Sequence, residues 1–164
     1  MPNSQPELVK VAIALGSNLG NPPKIFREAL EIIESTDGLE ILAKSSWHRT
    51  KPIGPPQPDY LNACITCQTT LSAQDLLNKL HEIENQFGRE RKEHWGARTL
   101  DLDLLLYGDR LINTPTLTVP HLRMHERTFV LYPLMEIAAD WVDPQTKLTI
   151  QELGDRLKNQ ELTT

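Results

Sequence analysis

Two aspartates, Asp101 and Asp103, lie two positions apart in an otherwise apolar run that ends at Tyr107. Successive side chains of a β-strand point to opposite faces, so a strand here places both carboxylates on one face, with their Cα atoms about 6.5 Å apart. Two ionised carboxylates this close repel each other and lose hydration at the edge of a core. A cation must compensate them, and Mg²⁺ is the natural candidate because proteins bind it through one or two carboxylates and substrate phosphates.

A basic segment directly precedes these aspartates, although the whole chain carries a net charge of −5. Its members are Arg89, Arg91, Lys92, His94 and Arg98, with Trp95 among them. Arginine suits phosphate because its planar guanidinium donates two parallel hydrogen bonds. Carboxylates that hold Mg²⁺ beside several arginines form the arrangement that phosphoryl transfer needs. A solvated charge cluster is the plainer interpretation.

Neither G-x-x-x-x-G-K-[ST] nor G-x-G-x-x-G occurs in the sequence, and the turn over residues 16–20 is too weak a signal for a phosphate loop. Side chains and metal must therefore hold any nucleotide. His121 and His125 have the i, i+4 spacing of a zinc site, but no third ligand is evident. Contact of His121 and Arg127 with phosphate or nucleotide fits the neighbouring motifs better.

Tyr60 and Asn62 follow a proline-rich loop over residues 51–58. An aromatic ring to stack on and an amide to read polar edges would suit a small planar ligand. A core tyrosine and a turn asparagine are equally compatible with this pattern.

The length of 164 residues predicts one domain over residues 1–164, with flexible tails at about 1–8 and 160–164. Its 39% hydrophobic and 24% charged residues are ordinary for a globular protein, and its negative charge argues against nucleic acid. No run approaches the ~20 apolar residues of a membrane span, and no signal-peptide pattern is present, so we expect a cytoplasmic protein. Cys64 and Cys67 have C-x-x-C spacing, but on a strand they face opposite sides, which favours two buried thiols over a redox or zinc pair.

The hydrophobic pattern predicts the order βαββαβ of a ferredoxin-like α+β fold, with a mainly antiparallel sheet, helices packed on it and long active-site loops. The predicted strands cover residues 9–15, 39–47, 60–70 and the run from Asp101. The leucines at 102 and 104–106 indicate a central strand. The predicted helices run from Pro22 towards Gly38 and from Ser72 to Gly88, and 126–139 should be kinked or split by Pro133. Residues 111–119 should be irregular or a short strand, and a last short helix should start at Thr149.

Together these motifs resemble those of the 6-hydroxymethyl-7,8-dihydropterin pyrophosphokinase family of folate biosynthesis. The likeness runs over about residues 9–144, and its most specific part is Trp95-Gly-Ala-Arg98-Thr-Leu-Asp101-Leu-Asp103-Leu-Leu. The supporting motifs are Gly16-Ser-Asn18-Leu, Arg49-Thr50, Pro52-Ile-Gly-Pro55, Pro58-Asp-Tyr60-Leu-Asn62, Glu84, Gly88-Arg89, Arg91 and Leu117-Thr-Val-Pro-His121.

The resemblance implies transfer of the β,γ-pyrophosphoryl group of MgATP to the pterin hydroxymethyl oxygen, giving AMP. It assigns Asp101 and Asp103 to two Mg²⁺ ions, and Arg89 and Arg98, with both aspartates, to catalysis. The ATP-binding residues it implies are Glu84, Arg91, Trp95, Arg98, Leu104, Thr118, His121 and Arg127. The pterin pocket it implies comprises Thr50, Pro52, Ile53, Tyr60, Asn62, Trp95 and Phe129. The partners are then the two small-molecule substrates, with no nucleic acid or membrane, and the protein is expected to be a monomer.

The chain departs from the familiar family pattern at several positions. Lys51 occupies a position where the family usually has proline, and His94 a position where it usually has arginine. The loop around 92–95 is one residue shorter than the usual family loop. Three residues of the nucleotide pocket also differ: His81, Thr116 and Leu122. Two other function classes stay open from the residues alone: a different two-metal enzyme, such as a phosphohydrolase or nucleotidyltransferase, and a non-catalytic module that binds nucleotide or metal.

Overall fold

A computed structural model describes residues 7–51, 56–88 and 99–162 of the chain. Its strands are β1 (Val9–Ser17), β2 (Leu39–Lys44), β3 (His48–Thr50), β4 (Tyr60–Thr69), β5 (Asp101–Tyr107), β6 (Ile112–Asn113) and β7 (Thr118–Val119). Its α-helices are α1 (Pro22–Glu34), α2 (Ala73–Gln86), α3 (Thr128–Ala138) and α4 (Ile150–Leu162), with a 3₁₀ turn at Met124–Glu126.

The main sheet has the strand order β2-β4-β1-β5, and β3 pairs with β4 beyond the end of β2. Every pairing is antiparallel. This is the sheet expected of a ferredoxin-like βαββαβ chain, so the predicted fold class is confirmed. The segment over residues 111–119 forms a separate two-stranded hairpin from β6 and β7.

Helices cover both faces of the sheet. On one face, α1 and α2 bury their apolar stripes against alternate residues of the strands, such as Ile13, Ile65 and Leu104. On the other, α3 and α4 pack on Ala12, Cys64 and other residues of the opposite parity. The period of two along each strand therefore separates the core into two layers.

The predicted starts of α1 and α2 are confirmed by the hydrogen bonds that cap them. The Asn21 side chain accepts a hydrogen bond from the Lys24 amide at 3.3 Å, and Pro22 occupies the first helical position. Ser72 Oγ accepts from the Asp75 amide at 3.1 Å. Each bond satisfies an N–H group that has no partner inside its helix.

The predicted second strand is interrupted. A bulge at Leu42 precedes its end at Lys44, and the chain is extended again only from His48. Ser45 stays bound to Cys64 through two hydrogen bonds of 2.9 Å, while the Trp47 ring packs edge-on against Phe26 of α1. Regular pairing of β2 with β4 ends before these contacts, at Lys44.

The prediction of a central position for the Asp101–Tyr107 strand was wrong. Among the described strands, β5 pairs only with β1 and lies at the end of the sheet. Leu102 and Leu104 are buried in the layer under α1 and α2, and Leu105 and Leu106 in the layer under α3 and α4, so helices cover both faces of this edge strand. A bulge at Leu105 also turns that residue's carbonyl to accept the His121 amide at 3.0 Å.

Pro133 was expected to kink or split the third helix, but α3 runs unbroken across it. A proline here removes one backbone hydrogen bond. The buried Val130, Leu131 and Leu134 hold the helix on the sheet despite that loss. The helix begins at Thr128, two residues later than predicted.

The last helix, α4, reaches Leu162 and so takes in part of the predicted C-terminal tail. The division of the chain into one domain with two tails stays a prediction, and residues 1–6 and 163–164 lie outside the described residues. Within the described ranges, no helix is both long and apolar enough to cross a membrane.

Candidate active site

A cleft of about 870 Å³ lies at the end of the sheet where β1 finishes and β5 begins, and residues of both α2 and α3 line it. All the predicted site residues that the structure describes line it: Thr50, Tyr60, Asn62, Glu84, Asp101, Asp103, Leu104, Thr118, His121, Arg127 and Phe129. The other predicted site residues lie outside the described residues: Pro52, Ile53, Arg89, Arg91, Trp95 and Arg98. Residues far apart in sequence thus meet at one site.

The floor of the cleft follows from strand register. Gly16 of β1 pairs with Asn62 on one side and with Asp101 on the other, and Ala14 likewise lies between Cys64 and Asp103. Directly paired residues share a face, so both carboxylates lie on the same side as Asn62. Two strand spacings separate Asn62 from Asp101, or about 10 Å. Gly16 between Asn62 and Asp101, and Ala14 beside it on the same face, are small residues that leave the floor open.

The amide of Asn62 has a defined orientation. Its Nδ2 donates to Thr50 Oγ1 at 2.7 Å. Its Oδ1 lies 3.6 Å from the position that a Cβ on Gly16 would take, and so points over the floor. Asn62 therefore presents an acceptor towards the cleft beside the half-buried ring of Tyr60.

Glu84 joins α2 to the start of β5. It is only 3% exposed, and its Oε2 accepts the backbone amide of Leu102 at 2.8 Å. A buried carboxylate needs such donors. This bond fixes the backbone between Asp101 and Asp103 and so fixes how both carboxylates face the cleft.

His121 follows the cis Val119–Pro120 peptide and lies in a turn, not in a helix. Because no α-helix connects His121 to the exposed His125, the zinc alternative loses the i, i+4 geometry on which it depended. In the described part of the chain, no cluster of three or more His, Cys, Asp or Glu side chains is suited to hold a metal.

The pKa of His121 is lowered, first by burial and then by the nearby guanidiniums of Arg127 and Arg123, against the opposing charge of Asp103. The Arg123 amide also donates to Nδ1 of His121 at 3.4 Å. A neutral imidazole accepts this bond. His121 is therefore an uncharged group beside a carboxylate floor at neutral pH.

Cations line the cleft opposite its acidic floor, namely Lys51, Arg123 and Arg127. The Arg127 guanidinium lies over the Phe129 ring, 5.4 Å from its centroid. Polyanions with bound divalent cations suit such a site, because carboxylates take the metal and guanidiniums take the remaining phosphate charge.

Sequence reasoning missed part of this lining. Gly16 and Ala14 were not singled out for the floor, and Arg123, Glu126 and Thr128 were not named as site residues. Small residues at alternate positions of β1 were the available signal for the floor. His81, Thr116 and Leu122, the departures from the family pattern, all line the cleft as well.

Comparison with known proteins decides between the function classes. A family model described as 7,8-dihydro-6-hydroxymethylpterin-pyrophosphokinase (HPPK) matches residues 12–139. The chain belongs to this family. Pyrophosphoryl transfer to hydroxymethyldihydropterin in folate biosynthesis is the reaction of HPPK, so the chain is an enzyme of the diphosphotransferase class.

Individual relatives agree with the family model. Proteins named 2-amino-4-hydroxy-6-hydroxymethyldihydropteridine pyrophosphokinase from Synechocystis sp. and Haemophilus influenzae are 48% and 46% identical over 145 and 142 residues. These matches cover 88% and 86% of this chain, and 74% and 89% of the relatives. The solved Plasmodium falciparum HPPK-DHPS structure with pteroate has a TM-score of 0.75 at 12% identity. It matches 94% of this chain but only 43% of that longer chain, and this likeness concerns the fold alone.

The open floor gives a first prediction. A Cβ at Gly16 makes only ordinary contact with Asn62, so Gly16→Ala and Gly16→Val should both fold. The branched side chain of valine would fill the space between Asn62 and Asp101, and kcat/KM should fall at least about tenfold. Steady-state kinetics with the alanine variant as control test this. Wild-type activity in the valine variant would show that substrates do not use this space.

The environment of His121 gives a pH prediction. Its folded pKa lies below that of the unfolded chain, about 6.5, so acidification below that value protonates the unfolded state first. The free energy of unfolding should therefore fall as the pH drops from 7.5 to 5.5, and less so in His121→Gln. Denaturant titrations measure this, with His125→Gln as the control that should keep the wild-type loss. An equal loss in His121→Gln and wild type would contradict it.

Proposed function

We propose that the protein transfers the β,γ-pyrophosphoryl group of MgATP to the hydroxymethyl oxygen of 6-hydroxymethyl-7,8-dihydropterin. The new bond joins that oxygen to the β-phosphorus, and the bond from the β-phosphorus to the oxygen bridging the α-phosphorus breaks. AMP leaves with that oxygen, and the hydroxyl loses its proton. The observation that carries the proposal is that one cleft brings the carboxylates of Asp101 and Asp103 together with the rings of Tyr60 and Phe129 and the amide of Asn62.

The carboxylates of Asp101 and Asp103 would hold two Mg²⁺ ions. The donor set fits, because Mg²⁺ accepts one or two carboxylates and completes its shell with phosphate and water. When bound, the ions neutralise charge on the phosphate oxygens and polarise the β-phosphorus. The residues of the chain supply position: Glu84 fixes the backbone between the aspartates, and Gly16 leaves room above them.

The pterin would lie against Tyr60 and Phe129, with its polar edge on Asn62 and Thr50. Two aromatic rings suit a flat ligand, and an amide oriented by Thr50 can read one edge of it. The same wall would receive Pro52, Ile53 and Trp95, whose roles are proposed from the family resemblance.

The ATP would extend from the carboxylates towards Leu104 and Thr118, with Glu84 near the nucleoside. Arg127 and His121 would contact the triphosphate: Arg127 as a charged donor, and His121 as a neutral hydrogen-bonding group. Further residues proposed from the resemblance are Arg89 and Arg98 at the transferred group, and Arg91 and Trp95 at ATP. The work of the site is then positioning and charge neutralisation, on which phosphoryl transfer chiefly depends.

We also propose that the enzyme acts as a monomer in the cytoplasm. Light scattering on the purified protein should give a mass near 18.6 kDa. A mass of twice that value would contradict the monomer.

The reaction is tested by incubating the protein with ATP, 6-hydroxymethyl-7,8-dihydropterin and Mg²⁺, and separating the products by chromatography. AMP and the pterin pyrophosphate should appear in equal amounts, and only with Mg²⁺ present. Release of ADP, or hydrolysis of ATP without pterin modification, would favour a different two-metal enzyme. Binding of ATP without turnover would favour a non-catalytic module.

The carboxylates are tested by Asp101→Ala and Asp103→Ala. Each change should lower kcat/KM at least about 10²- to 10³-fold, or about 3–4 kcal/mol, as expected for loss of preorganised charge at a reacting centre. The fold should survive, because removing one carboxylate relieves the repulsion between them.

The matched control for these variants is Asp155→Ala, which changes an exposed carboxylate of α4 that bonds only to Gln151 among the contacts of the described structure. Its activity should equal that of the wild type. Activity within tenfold of wild type in either cleft variant would remove that aspartate from the metal site.

A further inference from the structure

We infer that Glu136 is a positioning residue for the pterin end of the cleft, which it sets by holding β3 against α3. The inference rests on the proposed placement of the pterin against Thr50, Tyr60 and Asn62. Glu136 itself does not line the cleft, and its effect on the substrate must pass through the strand that it holds.

The Glu136 carboxylate is bound to the connection between β2 and β3. Its Oε1 accepts the Ser46 amide at 2.8 Å. The Ser46 hydroxyl donates to both carboxylate oxygens, at 2.8 and 2.9 Å, and the His48 Nε2 contacts Oε2. One side chain of α3 thus binds two residues of the chain, Ser46 just before β3 and His48 at its start.

This contact holds a strand with few other restraints. β3 has three residues and, among the described strands, pairs only with the first three residues of β4. In that register His48 pairs with Asn62 and Thr50 pairs with Tyr60. The Glu136 contact therefore fixes the strand that faces the proposed pterin residues.

The position of β3 determines how Asn62 faces the cleft. Thr50 Oγ1 accepts the Asn62 Nδ2 at 2.7 Å, which directs the Asn62 Oδ1 over Gly16. A shift of Thr50 would release the amide to rotate and exchange its acceptor for its donor at the substrate edge. The same helix supplies Phe129 to the cleft. The contact of Glu136 with Ser46 and His48, here called the Glu136 clasp, therefore also fixes the distance between β3 and Phe129.

Electrostatics keeps the carboxylate in its accepting form. Burial acts to raise the pKa of Glu136, but the hydrogen bonds from the Ser46 amide, the His48 ring and the Ser46 hydroxyl, with the His48 charge, lower it overall. Glu136 is therefore an ionised acceptor at neutral pH.

A purely structural role can be separated from positioning. The side chains of His48 and Glu136 are 31% and 36% exposed, and ion pairs this exposed contribute little to the free energy of unfolding. Loss of the pair should therefore change the binding of one substrate more than it changes stability.

The test is Glu136→Ala, with the KM of each substrate measured separately. The KM for 6-hydroxymethyl-7,8-dihydropterin should rise about five- to tenfold, in the range of one lost hydrogen bond, while the KM for MgATP and the kcat change less than about twofold. Glu136→Gln keeps an acceptor for the Ser46 amide and should recover most of the pterin KM.

The control is Glu34→Ala, which removes the exposed 2.7 Å ion pair between Glu34 of α1 and Lys44 of β2, neither of which lines the cleft. It should leave both KM values at the wild-type level. An unchanged pterin KM in Glu136→Ala, or equal rises for both substrates, would overturn the inference. A rise for MgATP alone would instead show that the Glu136 charge acts on the carboxylate floor and would also overturn it.

A readout without turnover separates this inference from the proposed function. Amide hydrogen exchange of the substrate-free protein should be faster in β3 for Glu136→Ala than for wild type and Glu34→Ala, whatever reaction the enzyme catalyses. Unchanged exchange would overturn the inference even if the transferase assay succeeds. Should Glu136→Ala not fold, His48→Gln removes the charged contact alone and is measured in the same way.

Discussion

The central strand β1 is hydrogen-bonded to β4 and β5 along nearly its whole length, and its register decides which side chains meet above the sheet. Gly16 is the residue through which Asn62 and Asp101 are brought onto one floor. A slip of β5 by one residue against β1 would turn Asp101 and Asp103 into the layer beneath α1 and α2. Their carboxylates would lose their hydration there without gaining partners. Burial of the two apolar layers therefore fixes the register, and the register in turn fixes the site.

The cleft has negative charge on its floor and positive charge on the segments around it. Asp101 and Asp103 lie on β5, and the cations Lys51, Arg123 and Arg127 come from segments outside the strands. A divalent ion on the floor and phosphate oxygens above it would meet opposite charge on both sides. Between them His121 is kept neutral by burial, so it adds no further cation where the metals would bind.

Features set by neighbours in sequence could be predicted from the sequence. The caps at Asn21 and Ser72, the common face of Asp101 and Asp103, and the opposite faces of the two cysteines follow from local hydrogen bonds or a period of two. The position of β5 at the end of the sheet could not be predicted, because helices on both faces bury the leucines of this edge strand as fully as those of a central strand.

The same limit applies to the site. The sequence indicated the acidic pair and the family motifs, but the open floor at Gly16 depends on pairing with two distant strands. The clasp at Glu136 depends on contacts across about ninety positions of chain, for which no local pattern exists. Similarly, the packing of Trp47 on Phe26 beyond the end of β2 joins two separate elements, which a run of strand-forming residues does not reveal.

Each core layer of the protein contains one buried cysteine. Cys67 lies in the layer under α1 and α2, and Cys64 in the layer under α3 and α4. Burial raises the pKa of both thiols, that of Cys67 to about 12, so neither reacts readily while its layer is closed. The rate at which each thiol is alkylated thus reports the opening of its own layer, and the Cys64 rate reports the layer on the face that carries Asp101 and Asp103. The chain therefore carries two thiols whose alkylation rates compare the mobility of the two faces of the sheet.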